Sequence, residues 1–185
     1  MHRRDALQTL AALAGVPALA GRTVADVLAA AGPHRQAGRL AALNATQNAT
    51  VVALAERIIP ATDTPGATAA GVNQFIDLLL AEWFSADERR AFLDGIADVD
   101  ARARAAFGKS FAAGTHAQQD GVVAVLDGEV TALREASRAT AGHFFARFKA
   151  LTLYGYYNSE VGMTQELRYQ IIPGRYESCA PLGAR

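Results

Sequence analysis

Residues 85–108 read SADERRAFLDGIADVDARARAAFG, and this stretch decides the fold class. Phe92, Ile96, Val99 and Ala103 recur at the spacing that puts them on one side of an α-helix, while Arg and Asp fill the other side. Ser85 stands three residues before Glu88, a capping box in which each side chain satisfies a backbone N–H that the first helical turn leaves unpaired. Asp94, Asp98 and Asp100 read as the solvated face of this helix: Arg102 and Arg104 offset them, and carboxylates at helical spacing alone hold a metal poorly.

The same period extends outward in both directions. Upstream, VNQFIDLLLAEWF (72–84) repeats apolar residues at 72, 75, 76, 79, 80 and 83, with Trp83 suited to a core or an interface. Before it, ATDTPGATAAG (61–71) carries only loop signals. NATVVALAERIIP (48–60) is a further helix, with Asn48 or Thr50 as its cap, Val51, Leu54 and Ile58 on one face, and Pro60 as its stop. Downstream, Thr115 and Gln118 form a second capping box ahead of GVVAVLD (121–127). A long helical pattern over residues 131–157 follows, broken near Ala139 to Gly142. Strand-like alternation is scarce. The expected architecture is an all-α bundle of five or six helices with an extended C-terminal tail, occupying residues 46–185 behind a linker at 21–45.

The N-terminus, MHRRDALQTLAALAGVPALAGR (1–22), has the anatomy of an export signal. Arg3 and Arg4 precede an apolar run of about 14 residues, too short for a membrane span of about 20, and Ala18 and Ala20 supply the small-x-small cleavage pattern. A paired arginine before a mild, alanine-rich segment resembles a twin-arginine signal, which exports folded cargo; residues 1–20 are its expected extent, with cleavage after Ala20. The body of the chain is long enough for one domain with a proper core. Its charges balance at 18 against 18, so nothing suggests a nucleic-acid groove.

Chemical motifs are scarce. A single cysteine, Cys179, excludes a disulfide framework within the chain, a cysteine zinc site, an iron–sulfur cluster and a haem attachment motif. No nucleophile elbow, phosphate-binding loop or dinucleotide fingerprint occurs, and the four histidines are scattered at 2, 34, 116 and 143. His143 reads as a helix residue with a satisfied ring. No catalytic, cofactor-binding or metal-ligating residue is expected.

The unusual composition lies in LTLYGYYNSEVGMTQELRYQIIPGRYES (151–178). Every tyrosine of the chain is here, at Tyr154, Tyr156, Tyr157, Tyr169 and Tyr176, with Glu160 and Arg168 among the polar residues between them. Large rings with a polar tip lose little entropy on ordering and dominate interface centres, so these seven residues are the expected partner surface. A tail packed back over its own bundle is the competing reading.

The residues 151–182, together with IIPATDTPGA (58–67), FIDLLLAEW (75–83) and the arginine-pair signal, resemble the gluconate 2-dehydrogenase subunit 3 family in the right order over most of 48–182. The resemblance implies a heterocomplex in which a large FAD-containing subunit of the glucose–methanol–choline oxidoreductase type oxidises a sugar or polyol. A cytochrome c subunit, carrying haem c, usually takes the electrons. The small subunit would hold no redox centre of its own and would support folding and stability of the flavoprotein. Its signal would carry that partner through the twin-arginine translocase to the periplasm, peripheral to the inner membrane. The motifs SEVGMTQELRY and PGRYESC are similar to the glycoside 3-dehydrogenase branch. In an oxidising compartment, Cys179 would then form an intersubunit disulfide with the flavoprotein, a free thiol or a bond between two copies of this chain being the competing readings. Rival readings are a free-standing export chaperone or membrane adaptor, and an independent periplasmic enzyme using Tyr157, Glu160 and Arg168.

Overall fold

The computed structural model describes residues 40–140 and 142–169. Five α-helices occupy them: α1 (Ala45–Ile58), α2 (Val72–Glu82), α3 (Ala86–Phe107), α4 (His116–Glu135) and α5 (Phe144–Tyr157). A 3₁₀ turn at Phe111–Ala113 joins α3 to α4, a π-helical turn at Gly162–Glu166 follows α5, and no strand occurs among the described residues. The fold is all-α, as the helical period requires. Helix α1 packs against all four others. Its Val51 and Leu54 meet a core that includes Ile76, Leu80, Phe92, Ile96, Val99, Leu126, Phe145 and Phe148, all buried.

Both expected capping boxes form, at Ser85 with Glu88 and at Thr115 with Gln118. Phe92, Ile96, Val99 and Ala103 are buried along one side of α3. The predicted break in the last helical pattern is the gap between Glu135 and Phe144.

Three details differ from the sequence reading and one narrows it. Helix α1 is capped by Asn44, whose side chain accepts from the Gln47 amide at 2.9 Å, and not by Asn48 or Thr50. The reason is tertiary: buried Asp77 of α2 accepts from the amides of Ala42 and Leu43 at 2.9 and 2.8 Å, fixing the chain's entry a turn earlier. Residues 42–45 therefore belong to the folded body rather than to the linker. Asp100 is buried instead of solvated, because its carboxylate accepts from the Phe111 amide at 3.0 Å and the Thr50 hydroxyl at 3.2 Å. Trp83 stands 81% exposed just beyond α2, which leaves the interface of its two expected placements. His143 sits at the cap position before α5 with Nε2 3.2 Å from Glu129 Oε2, while its buried Nδ1 has no hydrogen-bond partner. The linker to residue 39, the signal residues Arg3, Arg4, Ala18 and Ala20, and the tail beyond Tyr169 with Tyr176 and Cys179 lie outside the described residues.

Candidate partner-binding surface

The loop 59–71 is shaped by one carboxylate. Glu56, near the end of α1, accepts from the Ala61 amide at 3.0 Å, the Thr68 amide at 3.0 Å and the Thr68 hydroxyl at 2.6 Å. Burial pushes this carboxyl up, but the Thr68 and Ala61 hydrogen bonds and the neighbouring Arg57 charge outweigh it and hold the group below its ordinary value. Gly66 lies so close that a Cβ there would collide with the Glu56 carboxylate and stand 2.6 Å from the Ala61 nitrogen. Only glycine fits.

The segment after α5 is equally tight. Ser159 Oγ donates to the Tyr156 carbonyl at 2.7 Å and accepts from the Gly162 amide at 3.0 Å. This folds the chain back so far that a Cβ on Gly162 would strike the Tyr156 carbonyl oxygen. The π-helical turn closes with Leu167 N donating to Gly162 O at 2.9 Å and Tyr169 N to Met163 O at 2.8 Å, and Arg168 adopts a left-handed φ of 48°. Residues 158–169 are thus wound rather than extended.

These two segments, which carry the motifs IIPATDTPGA and SEVGMTQELRY, meet. The Tyr156 hydroxyl donates to the Pro65 carbonyl at 2.9 Å, and the Thr64 hydroxyl to Glu166 Oε2 at 2.8 Å. The Thr62 hydroxyl, backbone amides and the Arg168 charge hold the exposed Asp63 carboxyl below its ordinary value. Loop, π-helical turn and the end of α5 make one continuous surface.

The expected interface residues separate on it. Tyr154 (62% exposed) and Tyr169 (55%) present their rings to solvent, Tyr157 is partly exposed, and Glu160 and Arg168 are exposed. Tyr156 is corrected: at 2% exposure its ring is core, because it continues the buried row Phe145, Phe148 and Thr152 along α5. Residues the sequence reading did not single out join the surface. Phe75 of α2 packs against the Tyr154 ring at 5.8 Å between centroids, and Leu78, one turn further, is 37% exposed beside it. Leu78 is the apolar residue out of phase with the buried Val72–Ile76–Leu80 ridge, while Phe75, part of the expected stripe, is half-buried at its edge. Among the described residues no group of three His, Cys, Asp or Glu is placed to hold a metal ion, and no helix is long and apolar enough to cross a membrane.

A helical bundle bearing such a surface has the character of an assembly subunit. The family model described as gluconate 2-dehydrogenase subunit 3 matches residues 45–174, which include all five helices, the loop and the π-helical turn, and the chain belongs to that family. It is therefore a subunit of a multi-subunit dehydrogenase complex of the gluconate 2-dehydrogenase type. No curated protein and no solved structure was found to match it.

Proposed function

We propose that this chain is the non-catalytic small subunit of an exported, FAD-dependent sugar dehydrogenase. In this reading a large flavoprotein of the glucose–methanol–choline type performs the oxidation, and a cytochrome c subunit with haem c receives the electrons. The small subunit supports folding, export and stability of the flavoprotein. Arg3 and Arg4 engage the twin-arginine translocase, so that a partner already loaded with FAD crosses with it to the periplasm. The motifs around Tyr157–Tyr169 and Pro173–Cys179 favour a glycoside 3-dehydrogenase as the complex. Cys179 is assigned a disulfide with the flavoprotein.

The observation that carries this reading is the family match across the whole described body, from the first helix through the tyrosine-bearing segment. The test is the double substitution Arg3→Lys with Arg4→Lys, followed by cell fractionation. Both this chain and the flavoprotein are expected to remain in the cytoplasm. A flavoprotein that still reached the periplasm would refute the carrier role.

A further inference from the structure

Resting on the reading of this chain as a small subunit, the geometry points to the outer face of α2 and α5, with the adjoining π-helical turn, as the seat of the flavoprotein, and to a flavoprotein surface that is apolar at its centre and basic at its rim. The two helices run antiparallel: Phe75, early in α2, meets Tyr154, late in α5, whereas Phe84 just beyond α2 lies 4.2 Å under Arg147, early in α5. Along this pair of helices, Leu78 on α2 and Leu153, Tyr154 and Tyr157 on α5 are all large, apolar and exposed. Leu153, Tyr154 and Tyr157 share one side of α5 by their spacing of one, three and four residues. This concentration of exposed large rings and branched chains is what an interface core contains.

The charges around this face favour one kind of occupant. The stretch 58–88, which contains the loop and α2, has no Lys, Arg or His but has Asp63, Glu82, Asp87 and Glu88 exposed, its fifth acid, Asp77, being buried. The stretch 150–167, which contains the second half of α5 and the π-helical turn, again has no basic residue but has Glu160 and Glu166. Of the cations beside this face, Arg147 pairs with Glu88 at 3.0 Å, Arg168 acts on Asp63, and Arg89 donates to the Ala81 carbonyl of α2 at 3.0 Å. An apolar centre with an acidic margin repels an anionic membrane surface and complements a protein that offers Lys and Arg around an apolar patch. It is equally self-repelling towards a second copy of itself. The shallow groove of about 660 Å³ between α3 and α4, around Gly121 and Val125, has no such margin and serves as a control surface.

The test uses the full chain co-produced with the large flavoprotein of the same complex. Leu78→Asp and the milder Tyr154→Ala are each compared with Val125→Asp, with circular dichroism confirming that each variant folds. The two α2/α5 variants are expected to lower co-purified flavoprotein about tenfold or more, as truncated interface anchors do, while Val125→Asp leaves it unchanged. Binding should also weaken as salt rises from about 50 to about 500 mM, and Glu160→Lys should both weaken it and flatten that dependence. Loss with Val125→Asp but not with Leu78→Asp or Tyr154→Ala would overturn the placement while leaving the subunit reading intact. Wild-type chain that failed to capture the flavoprotein at all would overturn the subunit reading itself. Capture of the wild-type chain by anionic phospholipid vesicles would overturn the proposed charge complementarity.

Discussion

The Tyr156 hydroxyl donates to the carbonyl oxygen of Pro65 at 2.9 Å, closing a gap of 91 residues. This bond joins the helix that bears the exposed tyrosines to the loop beside them. Tyr156→Phe keeps the ring and removes the donor, leaving a half-buried carbonyl unpaired. It should cost about 1 kcal/mol, lowering the melting temperature of the isolated subunit by about 3–4 °C. Tyr154→Ala should do the opposite, weakening capture of the partner with little change in melting temperature. Calorimetry and co-purification on the two variants check the ranking.

Glu56 gives the loop its pH dependence. Its folded-state pKa lies below the ordinary carboxylate value, so its stabilisation is fully present above that ordinary value and is lost as pH falls through the lowered one. Glu56→Gln should therefore flatten the acid limb of the stability curve. At neutral pH, Glu56→Ala should cost about 2 kcal/mol, the scale of hydrogen bonds to a charged group. Denaturant melts between acid and neutral pH would decide; an unchanged acid limb in Glu56→Gln would remove the assignment.

Asp100 should behave as a core junction. Its carboxylate serves the Phe111 amide, the Thr50 hydroxyl and Arg104 from inside the bundle. Asp100→Ala leaves the buried Phe111 amide without its acceptor, while the Thr50 hydroxyl keeps only the Thr46 carbonyl, and should cost about 1–3 kcal/mol. Asp94→Ala and Asp98→Ala, two positions exposed on the same helix, should each stay within about 0.5 kcal/mol. Equal effects at all three would return Asp100 to the solvated face.

Cys179 yields a gel prediction from the proposed complex. On non-reducing electrophoresis the native assembly should show a band at the summed mass of this chain and the flavoprotein, collapsing on reduction and absent in Cys179→Ser. Subunits that migrate separately without reductant would show the thiol to be idle.

The helices and two of the three capping boxes were legible because they depend on neighbours within one or two turns, as at Ser85 with Glu88. The third box, Asn44 with Gln47, has the same local signature, which the choice of Asn48 or Thr50 overlooks. What else escaped was set at long range. Asp100 differs from Asp94 and Asp98 only through the return of the chain at Phe111. In the candidate surface, composition marked the tyrosine-rich segment but could not assign a helical phase. The packing of the Phe145, Phe148 and Thr152 side of α5 on the core decides that Tyr156 faces in and Tyr154 out. Leu78 falls outside the stripe at 72, 75, 76, 79, 80 and 83, so its exposure was open to a reading of the helical phase.

The acidic margin of the α2/α5 face has a last consequence. The chain carries equal numbers of formal positive and negative charges, yet two of its stretches hold acids alone. The described body, residues 40–169, holds 11 basic against 15 acidic residues, so it is acidic overall as well as lopsided. Such a body is both drawn and turned by the field of a basic surface. Near a basic protein it would rotate before touching, arriving with the tyrosines forward and raising the rate of productive encounters by as much as about 10–10³-fold. That orienting torque reaches only about one Debye length, about 8 Å at physiological salt. Alignment therefore happens in the final approach, when solvent between the two surfaces is only a few molecules thick.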